Sequence, residues 1–258
     1  MRQILVSLSS FGAAEVRRHG QLYFARVAHS AGADGVEVRG ELLGDPAAEL
    51  PAIAQVVHDA GLRCVYSSPE GLWDPHGALA GAALDRGLER AATLGATRLK
   101  MSIGSFGADS PATLPALQER LWRRAVELVI ENDQTAAAGS LPAMRRFFAA
   151  AGARGLPLGM TFDMGNWHWA GECPLEAAKA LAPQVRYVHC KGVQRQPRQW
   201  VAVPLVDSAA PWRAVLAVLP ADVPWAIEYP LAGDDLLAAT RGAVAQLREI
   251  AANMEALA

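Results

Sequence analysis

Short runs of β-branched and other apolar residues alternate along the chain with longer stretches whose apolar positions recur at three- and four-residue steps. The short runs are Ile4–Leu8, Gly35–Arg39, Arg63–Ser67, Arg98–Ile103, Val126–Glu131, Leu158–Asp163, Val185–His189 and Trp225–Tyr229, and they read as strands. The stretches Ala14–Ala31, Pro46–Ala60, Gly77–Leu94, Pro111–Leu121, Gly139–Ala153, Pro174–Leu181, Pro211–Leu219 and Asp234–Leu257 read as helices, being rich in Ala, Leu, Arg and Glu. Pro46, Pro174 and Pro211 stand where first-turn prolines belong. Small-residue turns such as AGADG, LGAT and AGARG lead from helix into strand. Alternation of this kind predicts a parallel sheet with right-handed crossovers. The repeat of roughly thirty residues is that of an α/β (β/α)₈ TIM barrel, expected as a single domain over residues 1–258. A doubly wound open sheet is the competing arrangement.

In a barrel, function collects at the C-terminal ends of the strands. Alternate residues of a strand share a side, so Val129 and Glu131 go together. So do Gly159, Thr161 and Asp163; Val185, Tyr187, His189 and Lys191; and Ala226 and Glu228. Each run places small or apolar residues first and one ionisable group at its end. Four consecutive strands thus deliver Glu131, Asp163, His189 and Glu228 to one rim. Carboxylates buried so close together repel one another, and a divalent cation would compensate them. Three oxygens and one imidazole suit Mn²⁺ first, then Mg²⁺, Co²⁺ or Zn²⁺. Singly, each residue has a plainer reading. A Glu after a strand caps a helix, a His packs in a core, and Asp163 before Met-Gly-Asn makes an Asx turn. Their joint occurrence on successive strands favours the metal.

Composition narrows the partners. Of 258 residues, 52% are hydrophobic and 19% charged, enough for a large core. The net charge is −2 with no basic block, which argues against a nucleic-acid partner. Cys64, Cys173 and Cys190 form no CxxC pair, so neither a disulfide framework nor a structural zinc site is expected, and the chain reads as cytoplasmic. The N-terminal apolar run is too short for a signal peptide. No window approaches the ~18 apolar residues of a membrane span. A small-molecule partner and a monomer or homodimer are the expectation.

The segments IEND (130–133), FDMGN (162–166), VHCKG (188–192) and IEYP (227–230) resemble those of the xylose-isomerase-like barrel superfamily. Within it the chain is similar to sugar phosphate isomerases/epimerases related to ketose 3-epimerases and, more distantly, to endonuclease IV. The likeness extends from DGVEVR to AIEYP, and the ENDQT and FDMGNWHW wording most resembles members encoded with 2-ketogluconate catabolism. The resemblance implies that Glu131, Asp163, His189 and Glu228 ligate one metal and that Glu131 and Glu228 form an acid–base pair. The implied activity is isomerisation or epimerisation of a sugar or sugar acid, with dehydration of a keto-sugar acid or keto-cyclitol as the alternative. Three-metal nuclease relatives carry further histidines where this chain has Ser67, Ser68, Ser102, Gly104 and Asn166, which weakens a nuclease reading. A silent sugar-acid binding protein is the remaining rival.

Further candidates for substrate contact surround this set. Glu37 would meet substrate hydroxyls or pair with Arg39. Asn166 replaces a substrate-contacting histidine of the epimerases, with His168 close by to take over. Lys191 would pair with an anionic group or stand exposed. Arg195 and Arg198 would bind a carboxylate or phosphate, or lie in a solvated loop. Lys100, on the polar parity of its strand, needs a carboxylate partner. Trp73, Trp167 and Trp169 are candidate walls over a sugar face.

Overall fold

The computed structural model describes residues 2–122 and 124–256. Its first half runs β1 (Ile4–Ser7), α1 (Ala13–His19), α2 (Gln21–Ser30), β2 (Gly35–Arg39), α3 (Pro46–Asp59), β3 (Arg63–Trp73), α4 (Gly81–Thr93), β4 (Arg98–Gly104) and α5 (Leu114–Leu121). The second half runs β5 (Glu127–Glu131), α6 (Ala136–Gly139), α7 (Leu141–Ala153), β6 (Gly159–Asp163), α8 (Pro174–Leu181) and β7 (Val185–Cys190). It ends with β8 (Gly192–Arg195), β9 (Trp200–Val203), α9 (Trp212–Val218), β10 (Trp225–Ile227) and α10 (Leu236–Glu255). Eight parallel strands close in the order β1-β10-β7-β6-β5-β4-β3-β2, which makes the chain a (β/α)₈ barrel and rules out the open sheet.

Strand alternation divides the apolar residues into two cores. Ile4, Val36, Leu99, Ile130, Phe162, Val188 and Ile227 face outward and join the helices in one continuous cluster. Leu5, Val65, Tyr187 and Ala226 form a small separate cluster inside the barrel. Above that plug the interior turns polar: Glu37, Lys100, Thr161, Asp163 and His189 are all buried. Ionisable groups buried this deeply require partners, and the site supplies them.

Three elements depart from the sequence reading. The helix expected over Ala14–Ala31 breaks at Gly20, whose φ of 79° lies outside helical space and separates α1 from α2. Strand β3 continues past Ser67 to Trp73, with a register shift between Ser67 and Gly71. Helix α4 consequently starts at Gly81, after a turn in which Asp74 accepts from the amides of His76 and Ala78. The loop after β7 folds into the antiparallel pair β8 and β9, so Arg195 lies on a hairpin.

Candidate metal centre at the mouth of the barrel

Glu131, Asp163 and His189 close β5, β6 and β7, and Glu228 follows β10 directly. One ligand atom from each lies within 4.8 Å of all the others. The His189 ring is aligned between two layers. Its Nδ1 is 2.9 Å from Glu131 Oε1, 2.9 Å from Glu228 Oε2 and 3.5 Å from Asp163 Oδ2. Its Nε2 is 2.8 Å from Glu37 Oε2, below the rim. A carboxylate on one ring nitrogen fixes the tautomer and frees the other nitrogen for a ligand.

The strand ends are locked to each other by asparagines. Asn132 accepts from the Asp163 amide at 2.9 Å through Oδ1 and donates to the Asp163 carbonyl at 3.0 Å through Nδ2. Asn166 Nδ2 donates to the Asn132 carbonyl at 2.9 Å. Asp163 divides its own oxygens between two tasks. Oδ1 accepts from the amides of Gly165 and Asn166, both at 2.8 Å, in the Asx turn its sequence predicts. Oδ2 is buried and has no aligned hydrogen-bond donor, although Lys191 Nζ lies 2.8 Å away. A buried carboxylate oxygen held only by an ion pair, aimed with two glutamates at an imidazole nitrogen, is a donor set that suits a divalent ion.

Three cations pair with the carboxylates of this centre. Lys100 Nζ is 2.9 Å from both Glu131 oxygens and 3.0 Å from Glu37 Oε1, which supplies the partner an interior lysine requires. Arg39 Nη1 donates to Glu228 Oε1 at 2.5 Å and to Glu37 Oε1 at 3.3 Å, and its Nε to Glu41 at 2.9 Å. Lys191 Nζ reaches Glu228 Oε2 at 2.8 Å and Asn166 Oδ1 at 3.0 Å.

Burial alone would raise the carboxyl pKa values, but these cations reverse that for three of the acids. His189 and Lys100 hold Glu37 below its ordinary value. Lys100 and His189 do so for Glu131, and His189 and Lys191 for Glu228. Asp163 is raised instead, because its burial outweighs Lys191. Burial lowers the His189 imidazole, yet Glu228 and Glu37 lift it well above its usual value in the metal-free protein.

The five residues expected to contact substrate occupy different settings. Glu37 has no exposure and spends its oxygens on His189, Lys100, Arg39 and Ser7. Asn166 bridges Asn132, Gln134 and Lys191. Lys191 is buried within the acid cluster, so its exposed reading is corrected. His168 packs on Trp200 of the hairpin, ring centroids 4.9 Å apart, and Arg195 lies exposed over the same indole. Two proposed aromatic walls are corrected as well. Trp73 is core, edge-on to Phe106 and Phe147, and Trp167 is fully buried beside Phe162. Asn132 completes the site beyond the sequence candidates, and Arg39, expected as a partner of Glu37, pairs with it and reaches Glu228 as well. Asn132 follows Glu131 directly, and Arg39 shares the parity of Glu37, which was the available signal.

Comparison with known proteins gives a family and a fold. Residues 25–250 match the family model described as xylose isomerase-like TIM barrel. No curated protein matches the sequence. A xylose isomerase domain protein from Alicyclobacillus acidocaldarius superimposes with a TM-score of 0.70 at 18% identity, covering 99% of both chains. The probable 3-DHS dehydratase AsbF from Bacillus anthracis gives 0.71 at 12% identity over 95% of this chain and 98% of that one. A D-allulose 3-epimerase from Methylomonas sp., solved with D-allulose, gives 0.68 at 14% identity over 96% and 97%. At these identities the likeness is one of fold.

Proposed function

The chain belongs to the xylose isomerase-like TIM barrel family, and on that premise we propose that it is a divalent-metal-dependent isomerase or epimerase of a small sugar or sugar acid. The observation carrying this reading is the placement of Glu131 and Glu228. Each lies 2.9 Å from His189 Nδ1, and each is paired with cations, Lys100 on one and Arg39 and Lys191 on the other. Two carboxylates from different strands that converge on one point address a bound substrate from two sides. Both are held in the ionised state, so either can accept a proton from carbon at neutral pH.

Glu131, Asp163, His189 and Glu228 are the residues that would hold the ion, Mn²⁺ first among the candidates. When bound, such an ion supplies a Lewis acid for a substrate carbonyl and its neighbouring hydroxyl. Glu37 keeps the proton on His189 Nε2 and so leaves Nδ1 available. One glutamate, as the carboxylate, would remove the proton beside the carbonyl, giving an enediolate, and the other, once it has taken a proton from solvent water, would return one. Return to the opposite face is epimerisation, and return to the adjacent carbon is isomerisation. If the second glutamate instead protonates a departing β-hydroxyl, the same pair performs dehydration. Ser67, Ser68, Ser102, Gly104 and Asn166 lack the imidazoles further metals would need, which disfavours a nuclease.

Incubation with Mn²⁺ and a panel of ketoses and sugar acids in D₂O tests the proposal. One deuterium at a single carbon, with product mass otherwise retained, is the expected result. Loss of water identifies a dehydratase, and no exchange with any substrate refutes proton-transfer chemistry.

A further inference from the structure

We propose that Lys191 is the internal counter-ion of this centre and that metal binding converts it into the anchor for a carboxylate on the substrate. The inference rests on the function proposed above and narrows its substrate class to acidic sugars.

The argument begins with what holds the ammonium. Lys191 Nζ lies 2.8 Å from Asp163 Oδ2 and 2.8 Å from Glu228 Oε2. Those are the two oxygens that face His189 Nδ1, so an ion ligated by the four residues draws on the charge that now neutralises Lys191. The other two cations keep acid partners outside the ligand atoms. Lys100 retains Glu37 and the second oxygen of Glu131. Arg39 retains Glu37, Glu41 and the far oxygen of Glu228. Among the described residues, Lys191 is left with the neutral side-chain oxygen of Asn166, Oδ1, at 3.0 Å.

An ammonium buried without a counter-charge is costly, and Lys191 is only 8% exposed. The stem cannot simply retreat. A Cβ on Gly165 would sit 2.7 Å from Lys191 Cδ, so the stem runs hard against the β6 loop, in space that only glycine leaves. With a divalent ion beside it, the ammonium is best neutralised by an anion arriving with the substrate. A single ammonium suits a monoanionic carboxylate better than a phosphate dianion, which calls for several donors.

Calorimetry separates the possibilities, using Mn²⁺ alone and then D-gluconate, D-glucitol and D-glucitol 6-phosphate on the Mn²⁺-loaded protein. Gluconate is expected to bind at least about tenfold more tightly than glucitol, the scale of one charge-assisted hydrogen bond, and more tightly than the phosphate ester. Lys191→Met should bind Mn²⁺ as tightly as the parent or more so and lose the preference for gluconate. Lys191→Arg should keep that preference, with thermal melts establishing that both variants fold. Equal binding of gluconate and glucitol, tighter binding of the phosphate ester, an unchanged preference in Lys191→Met, or Mn²⁺ affinity in that variant reduced tenfold would each overturn the inference. Failure of the parent protein to take up Mn²⁺ would sink the metal-dependent reading as well. One ion per chain without a preference for gluconate would sink this inference alone.

Discussion

At the scale of single residues, the site depends on side chains that divide their atoms between scaffold and chemistry. Asp163 gives one oxygen to its own turn and keeps the other for the centre. His189 gives Nε2 to Glu37 and keeps Nδ1. Replacing Glu37 by Gln should therefore weaken metal binding by about 10–100-fold, and unchanged affinity by calorimetry would remove Glu37 from that role. Glu131→Gln should cut turnover by about 10²–10⁴-fold or more while circular dichroism stays that of the parent, and full activity would sink the acid–base assignment. Strand parity made the four clustered side chains and Lys100 legible in the sequence. It could not say which nitrogen of His189 is free, because that depends on Glu37, 152 residues distant along the chain; the occupied oxygen of Asp163 is set locally, by the amides of Gly165 and Asn166.

At the scale of elements, local signals fixed identity well and boundaries less well. Asp45 caps α3 by accepting from the amides of Ala47 and Ala48, with Pro46 in the first turn. Asp45→Ala should cost about 1 kcal/mol and lower the melting temperature by about 2–4 °C; no shift in a thermal melt would contradict the cap. Phe147 of α7 stacks edge-on to Trp73 and Phe106, tying the long β3 to the helical layer. Truncation to Ala should cost about 3–5 kcal/mol, measured by urea denaturation. The β8–β9 hairpin escaped the sequence reading because charged and amide residues between Arg195 and Trp200 resemble a solvated loop. What makes it a hairpin is cross-strand pairing, Gly192 with Val203 and Arg195 with Trp200, together with His168 packed against Trp200.

At the scale of the whole molecule, barrel closure is what makes the centre. The candidate ligands from β5, β6, β7 and the end of β10 meet because these strands are neighbours in the closed order. Mn²⁺ should bind at one ion per chain and raise the melting temperature, since an ion that binds only the folded state adds about 2.7 kcal/mol at a hundredfold excess over Kd. Elemental analysis and a melt with and without chelator check both. Three ions per chain would restore the nuclease reading, and no stabilisation would count against the centre.

Local sequence pattern is enough for the alternation of strands and helices, hence the barrel, and for the parity that puts Glu131, Asp163, His189 and Glu228 on one rim. Both follow from short-range periodicity, which a chain carries locally. How the buried charges are neutralised emerges with the folded chain. Carboxylates counted along the sequence call for a metal. The folded chain brings Lys100, Lys191 and Arg39 onto those same acids, from strands and loops far apart in sequence. Coulombic pairing follows distance in space, so a pattern read along the chain could name the charged groups but not pair them.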